Sequence, residues 1–196
     1  MRCLVVTAHP LEESLCATLT RRVVRRLTER GHDVVLEDLY AERFDAAMTV
    51  TERAGYYEGT YDTKAVQSQV TRLLRSQAIV FVFPTWWFGC PAVLKGWFDR
   101  VWVPGVADDH SAGFGPIKPR LHRLRETLVV TTLGAPWWVD RLILWQPLKR
   151  VLRTAIIKPC APRCRFRMVS LYKSESLTSA QVDRFWARIE THLNRW

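Results

Sequence analysis

A chain of 196 residues is long enough for one full hydrophobic core and too short for two ordinary domains. Its apolar share of 48% and charged share of 24% exclude a disordered polymer. The long uncharged stretch 77–94 is broken by Pro84, Gly89 and Pro91, which excludes a continuous transmembrane helix there. The formal net charge of +10 favours anionic partners, yet the arginines are spread over several helices and no nucleic-acid motif accompanies them. Most of that charge therefore reads as solvated surface, and nucleic acid is not expected as a partner.

The amino terminus runs directly into Arg2-Cys3-Leu4-Val5-Val6, a strand, without the cationic and apolar segments of a secretory leader. Five cysteines (Cys3, Cys16, Cys90, Cys160, Cys164) lack a disulfide framework spacing, and Cys160-x-x-x-Cys164 has no nearby His or third Cys to complete a metal site. Reduced thiols in a cytoplasmic protein, with no metal, are the expectation.

In chain order, a first strand over 2–7 leads through His9-Pro10-Leu11-Glu12-Glu13-Ser14 into a helix from Ser14 to Arg30, with Leu15, Leu19, Val23 and Leu27 on its core stripe and Gly31 ending it. Asp33 to Leu39 reads as a second strand. The polar, aromatic stretch 40–62 lacks periodicity and predicts a functional loop. A helix over 63–75 follows, with Thr63 as its cap. Ala78 to Phe83 is a strand buried on both faces, stopped by Pro84. From Pro91 a helix pattern starts, with Val93/Leu94, Trp97/Phe98 and Val101/Trp102 on one face. Residues 103–125, around Asp108-Asp109-His110, are again irregular. Glu126 to Thr132 is a fourth strand, 138–155 a helix with Pro147 as a kink or boundary, Arg165 to Leu171 a fifth strand, and Ser179 to Asn194 a closing helix capped by Thr178. Strands alternating with helices predict one domain, a three-layer α/β sandwich around a five-stranded parallel sheet of order 2-1-3-4-5.

Two loops carry chemistry in this pattern. Ser14, Leu15 and Cys16 offer unpaired N–H groups at a helix start, where the macrodipole favours an anion, and His9 can add a donor. Read alone, Ser14 is equally a plain helix cap and His9 a satisfied loop residue. Pro84-Thr85-Trp86-Trp87-Phe88-Gly89-Cys90 leaves the carboxyl end of the central strand, the usual ligand position of open α/β sheets. Three consecutive large aromatics with few polar side chains suit a flat π system held by stacking and backbone N–H groups.

The run Pro84, Trp87, Gly89, Pro91, Ala92, Leu94, Lys95, Gly96, Trp97, Asp99, Arg100 and Val101 resembles the signature of flavin-dependent NAD(P)H:quinone reductases, the DT-diaphorase group of the flavodoxin-like superfamily. Thr-Ala-His-Pro-x-x-x-Ser, at 7–14, is similar to that family's first motif, and Tyr40-Ala41-Glu42-x-Phe44-Asp45 to the stretch after its second strand. The resemblance implies a flavodoxin-like fold, FAD or FMN as cofactor, NAD(P)H as co-substrate, ping-pong reduction of quinones or related aromatics, and a homodimer. It implies that His9, Ser14, Leu15 and Cys16 hold the flavin phosphate or pyrophosphate, and that Pro84, Thr85, Trp86, Trp87, Phe88 and Gly89 border the ring. Thr131, Thr132, Leu133 and Gly134 then approach its other edge, where the family has Thr-Thr-Gly-Gly; Leu133 replaces the first glycine and is expected to strain a loop that needs positive φ. Trp137 and Trp138 stand where the family carries a Tyr and a His. The residue roles leave the catalytic group unassigned, with His110 as a candidate proton donor beside a surface reading. Residues 137–158 carry Leu142, Trp145, Leu148, Leu152 and Ile156 along one expected side, suited to core or dimer packing or to a peripheral membrane contact. The alternative to an enzyme is an ancillary subunit of a membrane transporter, as in glutathione-gated potassium efflux systems, which share these motifs.

Overall fold

The computed structural model describes residues 1–56, 61–109 and 116–196. In chain order the strands and α-helices are β1 (Arg2–Thr7), α1 (Leu15–Glu29), β2 (Asp33–Asp38), α2 (Val50–Gly55), α3 (Gln67–Arg75), β3 (Ala78–Pro84), α4 (Ala92–Val101), β4 (Asp108–Asp109), β5 (Lys118–Pro119), β6 (Glu126–Thr132), α5 (Pro147–Arg150), α6 (Lys158–Cys160), β7 (Arg165–Leu171) and α7 (Ser179–Leu193). The main sheet is parallel with order β2-β1-β3-β6-β7, while β4 and β5 form a separate two-residue antiparallel ladder. With that ladder set aside, the long strands follow the expected order 2-1-3-4-5.

The central strand shows why the layers form. All of β3 is buried, and its side chains alternate: Ile79, Phe81 and Phe83 enter the core under α3 and α4, whereas Ala78, Val80 and Val82 enter the core under α1 and α7. Phe81 meets Trp97 edge-on and Phe98 at a tilt, with ring centroids 5.8 Å and 5.3 Å away. On the other face Leu19, Val23 and Leu27 of α1 pack with Phe185, Ile189 and Leu193 of α7. Ser14 caps α1 by accepting from the Ala17 N–H at 3.1 Å, and Thr178 caps α7 within a reciprocal capping box.

Three expectations change. Residues 40–62 are not wholly irregular, because α2 forms within them on a capping box of Thr49 and Glu52. Thr63 does not cap the next helix: its hydroxyl donates to the Gln67 side chain, and the segment opens with a 3-10 turn, Lys64–Val66. The stretch 138–155 is not one continuous helix: of the two readings of Pro147, kink or boundary, the boundary holds. A π-helical turn, Val139–Ile143, ends where Trp145 and Gln146 take positive φ (59° and 51°), and Pro147 then begins α5, which continues through a second π-helical run, Val151–Ile157, into α6. The supposed stripe is consequently split, with Leu148 and Leu152 buried and Leu142 and Trp145 exposed.

Candidate functional site

Register brings the loops together. Thr7 lies opposite Val82, Pro84 opposite Thr132, and Thr132 opposite Leu171, so neighbouring strands end nearly level at their carboxyl edge. The loops after β1, β3 and β6 leave that edge side by side and are tied across it. The Ala8 N–H donates to the Val82 carbonyl (3.1 Å), the Thr85 N–H to the Thr132 carbonyl (2.8 Å) and the Leu133 N–H to the Leu171 carbonyl (2.8 Å). Side chains add two further ties: the Thr85 and Thr131 hydroxyls are 2.7 Å apart, and Cys16 Sγ lies 3.8 Å from Thr132 Oγ1.

In the loop after β1, His9 Nδ1 accepts the Leu11 N–H at 3.0 Å, which leaves Nε2 to carry the proton of the neutral ring and donate outward. Ser14 Oγ is engaged as a cap acceptor, with its own proton free to donate. Leu15 and Cys16 begin α1, where the first N–H groups have no partner within the helix, and no acidic side chain occupies that first turn. The Cys16 thiol is pushed up to about 11 by burial, with the Thr132 hydroxyl pulling the other way, so this cysteine packs the helix start and stays protonated.

The loop after β3 is a tight turn. The Trp86 N–H donates to the Gly89 carbonyl at 3.2 Å and the Gly89 N–H to the Trp86 carbonyl at 2.9 Å. Trp87 and Phe88 between them have φ of 49° and 57°, the φ pattern of a type I′ turn that Asn-Gly would normally occupy. Placing two bulky aromatics there costs on the order of 1–3 kcal/mol each. The consequence is exposure: Trp87 is 100% exposed, and Trp86, also exposed, stands with its ring centroid 6.5 Å from that of His9. Packing alone does not account for backbone strain that projects an indole into solvent beside a helix start.

At the third loop the expected strain is absent. Leu133 is buried and is not among the residues with positive φ; its carbonyl accepts the Ser174 N–H at 2.9 Å. The close approach falls one residue later, where a Cβ on Gly134 would lie 2.9 Å from Glu175 Oε1. Beyond it Trp137 and Trp138 are exposed. A phenol that the sequence pattern had not singled out, Tyr172, follows β7 at the same edge and donates to the buried Asp140 carboxylate at 2.8 Å, with the Arg141 guanidinium over its ring. Burial raises the Tyr172 phenol above its ordinary value. Its only sequence signal is its position just past a strand end.

The helical half of the signature does something else. A Cβ on Gly96 would lie 2.3 Å from the Ala46 carbonyl oxygen, so α4 accepts the 40–56 segment only with glycine there. Trp97 Nε1 donates to the fully buried Glu37 carboxylate at 2.5 Å, and Arg72 approaches the other oxygen at 3.2 Å. Burial raises the Glu37 carboxyl, with the Trp97 and Arg72 contacts opposing it. Arg100, also buried, binds Glu52 through Nε (3.0 Å) and Nη2 (2.7 Å) and donates to the Asp45 carbonyl. Lys95 pairs with Asp99 one turn away at 2.6 Å. These residues anchor the excursion after β2 and leave the exposed edge to the other loops.

A family model described as flavodoxin-like fold matches residues 1–189. The chain belongs to the flavodoxin-like family. Among curated relatives of this family member, an uncharacterized NAD(P)H oxidoreductase of Escherichia coli (strain K12) is 35% identical over 121 residues, covering 60% of this chain and 61% of the relative. NAD(P)H dehydrogenase (quinone) 1 of Rattus norvegicus is 31% identical over 153 residues, covering 68% of this chain and 54% of the relative. The aligned part thus spans little more than half of those relatives' length. Among solved structures, Smu.1420 from Streptococcus mutans UA159 matches all of both chains with a TM-score of 0.85 at 24% identity, which places the fold.

Of the residues expected at the site, His9, Ser14 and Leu15 line the first loop half-buried, Trp86, Trp87 and Gly134 are exposed, and Thr85, Phe88 and Gly89 lie between. Cys16, Pro84, Thr131, Thr132 and Leu133 are buried and shape the loops from beneath. His110 lies outside the described residues. A cleft of about 240 Å³ opens on the β2 side of the first loop, between His9, Leu11 and Glu12 and the Asp38–Ala41 turn. Sequence reading missed this cleft, because Asp38 there looks like an ordinary strand end. Among the described residues no helix is long and apolar enough to cross a membrane.

Proposed function

We propose that the chain is a flavin-dependent NAD(P)H oxidoreductase that carries FMN or FAD and reduces quinones or similar aromatic acceptors in two separate half-reactions. The observation that carries this reading is the strained Trp86–Gly89 turn beside the α1 start, on one sheet edge. The residues fit a flavin at both ends. An anionic tail is served by the Leu15 and Cys16 N–H groups, the Ser14 hydroxyl and His9 Nε2, all donors, with the helix dipole adding to them. A planar apolar ring is served by Trp86 and Trp87, while the Trp87, Phe88 and Gly134 N–H groups, which the loops' own ties leave unused, supply donors without a charged side chain. Flavin bound there would supply hydride exchange between nicotinamide and acceptor.

The chain's own contribution is to hold and exclude. The Thr85–Thr131 and Cys16–Thr132 contacts lock the three loops to each other, so the stacking surface and the anion cradle keep a fixed separation. Trp137 and Trp138 add apolar surface to the acceptor side in place of polar residues, which favours broad, flat acceptors. The proton that a reduced acceptor needs has a candidate source in Tyr172, whose hydrogen is held toward Asp140.

The exposed apolar residues Trp137, Trp138, Leu142, Ile143, Trp145 and Val151 are more than a lone monomer usually presents, and a second copy of the chain is the proposed cover. Five free cysteines, four of them buried, support a reducing, cytoplasmic setting. The deciding assay is NAD(P)H oxidation with a benzoquinone and a naphthoquinone as acceptors. Parallel lines in double-reciprocal plots support the reading; a protein with bound flavin but no turnover would favour the ancillary role instead.

A further inference from the structure

At the opposite, amino end of the sheet lies a second cavity, of about 130 Å³, lined by Glu126 and Arg165 at the starts of β6 and β7, by Arg167, and by His192, Arg195 and Trp196 at the end of α7. Arg165 is engaged with Glu126 through Nε at 2.6 Å and through Nη2. Arg167 spends one N–H on the Phe166 carbonyl at 3.2 Å, and among the described residues no carboxylate pairs with it or with Arg195. A neighbouring cleft of about 150 Å³ shares Arg165 and Arg167 and adds Arg153 and Lys158.

Two ordinary roles account for part of this. Arginines on an edge strand discourage pairing with another sheet, and cations suit the carboxyl end of a helix. Neither role requires cations from β7 and from the end of α7 to converge on one cavity. We propose that this cavity binds a small phosphate-bearing dianion, seated between Arg167 and Arg195 and remote from the edge that carries Trp87 and Ser14. Guanidinium forks match phosphoryl oxygens in pairs, and the cavity has room for one such group.

His192 reports on the arrangement. Burial lowers its imidazole first, and the charges of Arg167, Arg195 and Arg188 lower it further. The charged groups facing it are Arg167 and Arg165 from β7, Glu126 from β6, Arg188 from its own helix and Arg195 just beyond. A bound dianion cancels the surplus positive charge, so His192 must titrate at higher pH when the cavity is filled.

The test is a titration of the protein with inorganic phosphate at constant ionic strength, following each imidazole by NMR. The expected result is a saturable upward shift of the His192 titration by at least half a pH unit, with at least tenfold weaker binding in Arg167→Gln/Arg195→Gln and unchanged binding in Ser14→Ala. Both arginines are exposed, and the single Arg195→Gln variant serves if the double one fails to fold. A shift no larger than chloride produces, a shift retained in the arginine variants, or a response at His9 in place of His192 would each overturn the proposal. The proposal stands or falls independently of the redox reading.

Discussion

The two halves of one sequence signature do opposite work. From Gly96 to Arg100 the chain turns inward: Gly96 admits Ala46, Trp97 satisfies Glu37, and Arg100 grips Glu52 and the Asp45 carbonyl. From Trp86 to Gly89 it turns outward, into strain and full exposure. The contrast teaches that a dense motif need not be a dense binding site. In the helix the motif residues are satisfied by the protein itself, so they fix the scaffold; in the turn the protein leaves aromatic surface exposed, and that is where the proposed flavin would gain.

Substitutions in the two halves should therefore separate stability from ligand retention. The largest loss is expected for Arg100→Ala, which leaves the Glu52 carboxylate buried without its partner and should cost about 3–5 kcal/mol in chemical denaturation. Glu52→Gln/Arg100→Met should recover part of that loss, since removing both charges is less costly than orphaning one. Next comes Gly96→Ala, where the new methyl would meet backbone and not a yielding side chain; overpacking of this kind costs about 1–3 kcal/mol. Both variants should loosen the 40–56 segment first, visible as faster amide exchange there.

Acid should weaken the inward half at Glu52. Burial by itself would raise the Glu52 carboxyl, but hydrogen bonds from Arg100 and Thr49 outweigh it and hold it below the usual carboxylate range. A depressed folded pKa stabilises above the unfolded value and is lost as pH falls through the folded one. Thermal midpoints should accordingly fall on acidification below about pH 4, where an unfolded carboxylate titrates, and Glu52→Gln should flatten that slope. Glu37 runs the other way: burial raises its folded pKa, so its contribution is complete below the unfolded value and declines as pH rises through the raised one. The smallest stability change belongs to Trp87→Ala, within about 0.5 kcal/mol, because nothing packs on that side chain.

How much was readable in advance follows the same division. The strands were legible because continuous β-branched and aromatic runs such as Ala78–Phe83 have few alternatives, and the spans 126–132 and 165–171 agree with the structure to the residue. The Thr49-x-x-Glu52 capping box was visible in the sequence and overlooked in a stretch with no hydrophobic period. The break before Pro147 was legible from the proline, but the conformation of Trp145 and Gln146 was not, because positive φ at a tryptophan has no compositional mark. The strain expected at Leu133 sits at Trp87 and Phe88 instead, since Leu133 finds a buried niche with ordinary φ and the tight turn lies one loop away. The first-loop donors were readable from helix-start logic, whereas the His9 tautomer and the Thr85–Thr131 tie need coordinates.

The central claim is that the outward turn and the start of α1 jointly hold a flavin. It is tested most directly by the visible spectrum and flavin content of the desalted protein after loading with FMN or FAD, compared between the native chain and Trp87→Ala. The account predicts stoichiometric yellow protein for the native chain with one of the two flavins, and at least tenfold weaker retention in Trp87→Ala at an unchanged melting midpoint. A native chain that keeps neither flavin, or a variant that keeps it equally well, would contradict it.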